Sequence, residues 1–106
     1  MPLFGRKKLD GVVVAVRYDG HGQVDWVRAY ERSGPAWSDW RLIKRQALVE
    51  KLKAGKRYFS GERIKFQAGT FEAREQIQLI TKNGGEQLVI GEPNGDQDQL
   101  AGVPLV

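Results

Sequence analysis

Residues 9–18 read LDGVVVAVRY, residues 19–22 DGHG and residues 24–31 VDWVRAYE, and this stretch decides the fold of the 106-residue chain. Five of the residues Val12–Val16 are small or β-branched, and the run is too short for a helix of this composition. It reads as a strand with both faces partly covered. Asp19-Gly20-His21-Gly22 reads as a turn, because Asp tolerates left-handed geometry and glycine reaches positive φ without steric cost. Val24–Glu31 is then the returning strand of a hairpin.

The register of that hairpin is open in the sequence, and one residue of slip changes which side chains match. If Tyr18 pairs with Gln23, Val12, Val14 and Val16 share a face with Val27 and Ala29. Trp26, Arg28, Tyr30 and Arg17 then project from the opposite face. If Tyr18 pairs with Val24, Trp26 and Tyr30 join the valines inside and Arg28 intrudes on them. Large aromatic side chains more often pack in cores than stand free, which favours burial of the rings.

Beyond the hairpin, Ser33-Gly34-Pro35 breaks the strand and Trp40–Ile43 reads as a further short one. Residues 45–54 (RQALVEKLKA) place Leu48, Val49 and Leu52 on one helical stripe. Lys51 and Lys53 suit the last turn and Gly55 suits the left-handed position after it. Lys56–Phe59 and Ile64–Gln67 read as strands around a Ser60-Gly61 turn. Phe71–Thr81 alternates as one strand, with Glu75 out of phase. Lys82-Asn83-Gly84-Gly85 is a hairpin turn returning into Gln87–Gly91. The expected architecture is mostly β: a small antiparallel barrel or strongly bent sheet of five to seven strands, capped by one α-helix over about residues 45–54. An α+β sheet with the helix on one face is the alternative. Residues 1–91 are expected to form a single domain. Residues 92–106 are expected to be a polar, mobile tail, with Leu100, Val103, Leu105 and Val106 able to strap its end onto the body.

The chain has no cysteine, which removes thiolate nucleophiles, disulfides and Cys-ligated zinc. No apolar run approaches the ~20 residues that span a bilayer, and no apolar segment follows Arg6, Lys7 and Lys8 to make a signal peptide. A cytoplasmic location without membrane contact is the expectation. The single histidine, His21, sits in a glycine turn with no nearby nucleophile. Asn94, Asp96 and Asp98 lack the distal glutamate of a calcium loop. No catalytic constellation, metal site or cofactor is expected.

Charge carries the remaining information. The net charge is +4, but residues 1–65 hold 15 Lys and Arg against 7 Asp and Glu, and residues 66–106 hold 2 against 6. Within residues 41–65 nine cations face only Glu50 and Glu62. Arg41, Lys44 and Arg45 stand at the start of the helix, where no Ser, Thr, Asp or Asn is placed to cap its N–H groups. With Lys56 and Arg57 they are the candidate polyanion-binding residues. Trp26, Arg28, Trp37 and Trp40 are candidate stacking or interface residues, since rings interleaved with arginine suit single-stranded nucleic acid. The expected function is a non-enzymatic basic binding module for RNA or single-stranded DNA. The alternative is a protein interaction or scaffold subunit, a homo-oligomer included, anchored by exposed tryptophans.

Overall fold

The structure is a computed structural model and describes residues 9–64, 71–82, 84–92, 95 and 97–106. Strands β1 (Gly11–Tyr18) and β2 (Val24–Ser33) form the expected antiparallel hairpin. Its turn is built by Asp19, whose carboxylate accepts the backbone N–H of His21 at 2.7 Å and of Gln23 at 3.1 Å. Those two bonds hold the Asp19 carboxyl below its ordinary value. Gly22 takes a φ of 81°, which a side chain would resist.

Six strands make the main sheet. Beyond β1 and β2 these are β3 (Ala36–Trp37), β4 (Arg41–Lys44), β5 (Tyr58–Arg63) and β6 (Phe71–Gln76). The order is β3-β2-β1-β5-β6, with β4 also paired to β2, and β7 (Gln78–Lys82) and β8 (Gly85–Val89) form a separate two-stranded sheet. The described residues are mostly β with one helix. Two features depart from the expected architecture. The path through the main sheet is open, running from β3 to β6, so the sheet does not close into a barrel. The described residues also hold eight strands, and one pairing, β1 with β5, is parallel. A parallel pair needs a crossover between its strands. Here the chain returns through β2, β4 and the helix α1 (Arg45–Lys53).

Helix α1 lies where the periodicity placed it. Leu48 and Val49 are fully buried and join Val13, Val16, Val27 and Ile43 in the core between helix and sheet. Its C-terminus closes as a Schellman turn: Gly55 N–H donates to the Leu52 carbonyl, Lys56 N–H donates to the Lys51 carbonyl, and Gly55 has a φ of 92°. At the other end Lys44 is the N-cap and makes no side-chain capping bond.

Two local readings are corrected. Ser60-Gly61 is not a turn: β5 runs straight through it. Gly61 is required there because a Cβ would collide with the Glu72 carbonyl of β6. Residues 65–67 of the expected following strand lie outside the described residues. Phe71–Thr81 is not one strand either. Arg74 and Glu75 bulge opposite Ser60, whose hydroxyl accepts the Glu75 N–H at 3.2 Å. The chain then leaves the main sheet at Ile77, which is buried and donates its N–H to the Tyr58 carbonyl at 2.8 Å. Glu75, the residue that interrupts the alternation, sits at this dislocation.

The C-terminal residues are also not a detached tail. Leu100 and Val103 belong to the same core cluster as the hairpin valines. The Val16 N–H donates to the Pro104 carbonyl and the Val106 N–H donates to the Val16 carbonyl, so the strap is present and lies along β1. Asp98 anchors it. Its carboxylate is 5 % exposed as a residue and accepts from Val24 N–H at 2.8 Å, Leu88 N–H at 2.9 Å and the Arg45 guanidinium at 2.8 and 3.2 Å. Asn94 and Asp96 lie outside the described residues. No helix among the described residues is long and apolar enough to cross a membrane.

Candidate functional site

The hairpin register is neither of the two expected alternatives alone. Tyr18 pairs with Val24, but Arg17 pairs with Trp26, so Asp25 bulges out of the ladder. A bulge inserts one residue and reverses the phase of everything beyond it. Val24 and Val27 can therefore both point to the helix-side core, while Trp26, Arg28 and Tyr30 point away from it. A second register shift, between Val13 and Ala15, lets Val13 and Val16 share that core. The rings are accordingly not interior: Trp26, Tyr30 and Trp37 are half-buried, and Trp40 is 51 % exposed.

Residues opposite one another in an antiparallel ladder project from the same face. Reading across β1, β2 and β4, Arg17, Trp26 and Lys44 form one row, and Ala15, Arg28 and Leu42 the next. Leu42 is 50 % exposed. The Arg28 guanidinium lies 4.6 Å from the centre of the Trp40 ring, a cation–π distance, and its Nε is buried without a hydrogen-bond partner. Beyond them Tyr30 packs on Phe71 at 5.0 Å between ring centres, and Phe71 on Trp37 at 4.4 Å. Arg63 approaches the Tyr30 ring at 5.9 Å. The floor beneath is Val12, Ala15 and Phe59, which are buried yet stand apart from the helix-side cluster.

One face of the sheet thus carries Trp26, Tyr30, Trp37, Trp40 and Phe71 together with Arg17, Arg28, Lys44 and Arg63. Arg63 and Phe71 meet because β5 and β6 pair them directly, whereas Glu62 and Glu72 occupy the opposite phase of the same ladder. Phe71, Arg63 and Leu42 were not singled out by the sequence. Nothing local marks them, since each joins the face only through a cross-strand register.

The five cations selected around the helix do not form one patch. Lys44 lies on the aromatic face. Arg45 is tied to Asp98 and donates to the Glu86 carbonyl, and that carboxylate holds its guanidinium above the ordinary value. Arg41 pairs in register with Ala29 and so falls on the helix side, where it shares a cavity with Lys56. Arg57 is exposed, and its backbone N–H donates to Asp10. Further cations of the helix side are paired as well: Lys51 with Glu31 at 3.2 Å and Lys53 with Glu86. The ion pairs among the described residues include none from Arg17, Arg28, Lys44 or Arg63.

His21 is exposed in its turn, and among the described residues no group of three or more His, Asp or Glu side chains is arranged to hold a metal ion. No protein-family model, no curated protein and no solved structure matches the chain.

Proposed function

We propose that the chain is a non-enzymatic module that binds single-stranded RNA or DNA on the face of the sheet opposite the helix. The observation that carries this reading is the row Arg17–Trp26–Lys44 beside the Arg28–Trp40 pair: a half-buried and an exposed indole set among cations that make no ion pair among the described residues. Bases stack on rings of this kind at about 1–3 kcal/mol each, in a sequence-tolerant way, and the flanking cations suit the phosphates. Trp40, 51 % exposed beside Arg28, has indole surface to offer a base. Of the cations first selected, Lys44 keeps its role, while Arg17, Arg28 and Arg63 take over from Arg41, Arg45, Lys56 and Arg57.

Titration of the protein with fluorescent dT and rU oligonucleotides across salt tests this. Three or four phosphate contacts predict a log K against log salt slope of roughly −2 to −3. Trp40→Ala is expected to weaken binding about 5- to 150-fold, the equivalent of one stacked base. Lys44→Glu lowers affinity and flattens the slope, whereas Lys56→Glu does neither. Absence of binding at low salt, or binding indifferent to salt, ends the proposal.

A second reading is favoured by one observation. Leu42 is exposed beside Trp40, and nucleic-acid stacking has no need of an aliphatic side chain there. A protein partner or a second copy of the chain, anchored on Trp40 and Leu42, would use both. Sedimentation analysis separates the two: concentration-dependent association abolished by Leu42→Lys supports the interface, and a monomer at all concentrations removes the homo-oligomeric form of it.

A further inference from the structure

We propose a second, separate site on the helix side of the sheet: a cleft that binds a small phosphate-bearing dianion. Its inner part is a cavity of about 220 Å³ bounded by the end of β2, the start of β4, the last turn of α1 and the start of β5. Four cations (Arg32, Arg41, Lys51 and Lys56) and two carboxylates (Asp10 and Glu31) line it.

The carboxylates are satisfied within the fold. Glu31 accepts the Tyr58 hydroxyl and stands 3.2 Å from the Lys51 ammonium. Burial pushes the Glu31 carboxyl up, but the bonds from Tyr58 and Lys51 outweigh it and leave the group below its ordinary value, hence ionised and neutralised in place. Burial beside Glu31 in turn raises the Tyr58 hydroxyl, which stays protonated and serves as a donor rather than a base. Asp10 accepts the Arg57 backbone N–H at 2.8 Å.

The charge left over belongs to the rim. Arg41 and Lys56 are exposed there, and the ion pairs among the described residues include neither. Both are placed by backbone geometry: Arg41 by the β2–β4 register, Lys56 by the Schellman turn that ties its N–H to the Lys51 carbonyl. Arg32 is held at the mouth by its Nε bond to the Gly34 carbonyl at 2.9 Å. Two net positive charges in a cavity of this size match a dianion, and an arginine fork beside a lysine point charge is the pairing that phosphate favours. An adjoining cavity of about 530 Å³ shares Asp10, Arg32, Ser33 and Lys56 and adds Leu9 and Gly34, which gives room for the organic group of a phosphate monoester.

The site does not rest on strand binding by the opposite face, and the variants separate the two. Phosphate is titrated against chloride at constant ionic strength while backbone amide resonances are followed. Saturable shifts at Arg32, Arg41, Lys56 and Arg57 are expected. The double variant Arg41→Ala/Lys56→Ala should weaken binding roughly tenfold or more, the loss of charge-assisted hydrogen bonds. Trp40→Ala and Lys44→Ala should leave it unchanged, although they impair oligonucleotide binding. Tighter binding of ribose 5-phosphate than of inorganic phosphate identifies a monoester as the occupant, and the reverse identifies the free ion. Shifts that rise without saturation over the whole surface, or an unaltered affinity in the double variant whose amide spectrum stays native, overturn the proposal.

Discussion

The two faces of the main sheet treat the same residue types in opposite ways. On the helix side three cations are matched to carboxylates: Arg45 to Asp98, Lys51 to Glu31, Lys53 to Glu86. On the other side Arg28 and Arg63 meet aromatic rings, and Arg17 and Lys44 flank Trp26. A net basic stretch in a sequence is therefore not a basic patch. The pleat divides it: on the helix side Asp98 and Glu86 of the C-terminal third pair with Arg45 and Lys53, Glu31 pairs with Lys51, and Arg41 and Lys56 stay outside the ion pairs among the described residues. What remains on the far face is charge held beside indoles, and that combination carries the functional reading.

The largest expected effect breaks the helix-side arrangement. Asp98→Ala removes a carboxylate whose side chain is 1 % exposed, and leaves Arg45, Val24 N–H and Leu88 N–H without it. A loss of about 3–5 kcal/mol in urea unfolding is expected, the magnitude for one partner stripped from a buried pair. A loss below about 1 kcal/mol would mean that the strap is held by Leu100 and Val103 alone.

Tyr58→Phe is the next largest and carries a pH signature. At pH 7 it should cost about 1–2 kcal/mol, because the ionised Glu31 loses a charge-assisted donor. The Glu31 carboxyl is depressed in the folded chain, so its contribution is present above the ordinary carboxylate value and disappears as the pH falls through the folded one. Unfolding free energies of native chain and variant should thus converge as the pH falls through the depressed folded-state value of Glu31. A gap that stays constant from pH 7 downward would show that the hydroxyl acts on something other than the carboxylate.

The smallest effect sharpens the contrast from the aromatic side. Arg28→Met removes a cation–π contact worth about 0.5–1 kcal/mol, but it also removes a buried Nε that has no hydrogen-bond partner. The two nearly cancel, and stability should change by less than about 1 kcal/mol while oligonucleotide affinity falls. Destabilisation comparable to that of Asp98→Ala would make this face a second core rather than a binding surface.

Features that depend on neighbours in sequence were legible. The β1–β2 hairpin, the Asp19 turn, helix α1 with its Gly55 terminus and the turn before Gly85 all follow from period, propensity and the φ that glycine permits. Features that depend on one extra residue were not. The Asp25 bulge sends Trp26 outward although Tyr18 pairs with Val24, and the bulge opposite Ser60 cuts Phe71–Thr81 into strands of different sheets. Gly61 reads as a turn residue because sequence cannot distinguish a glycine needed for positive φ from one needed so that another backbone can pass close by. Of the candidate site, Trp26, Arg28, Trp40 and Lys44 were legible as types. Their grouping with Arg17, Arg63 and Phe71 required the registers.

By itself the sequence determined a cysteine-free, mostly β chain with one amphipathic helix and a charge imbalance between its two parts, because these are properties of composition and local period. Only the tertiary structure decided that Asp98 reaches back across 53 positions to claim Arg45, and that the indoles face outward. Side-chain facing in a sheet alternates with every residue, so a single bulge inverts it. The partner of a buried charge is set by which distant segments the core brings together, and no local pattern encodes that.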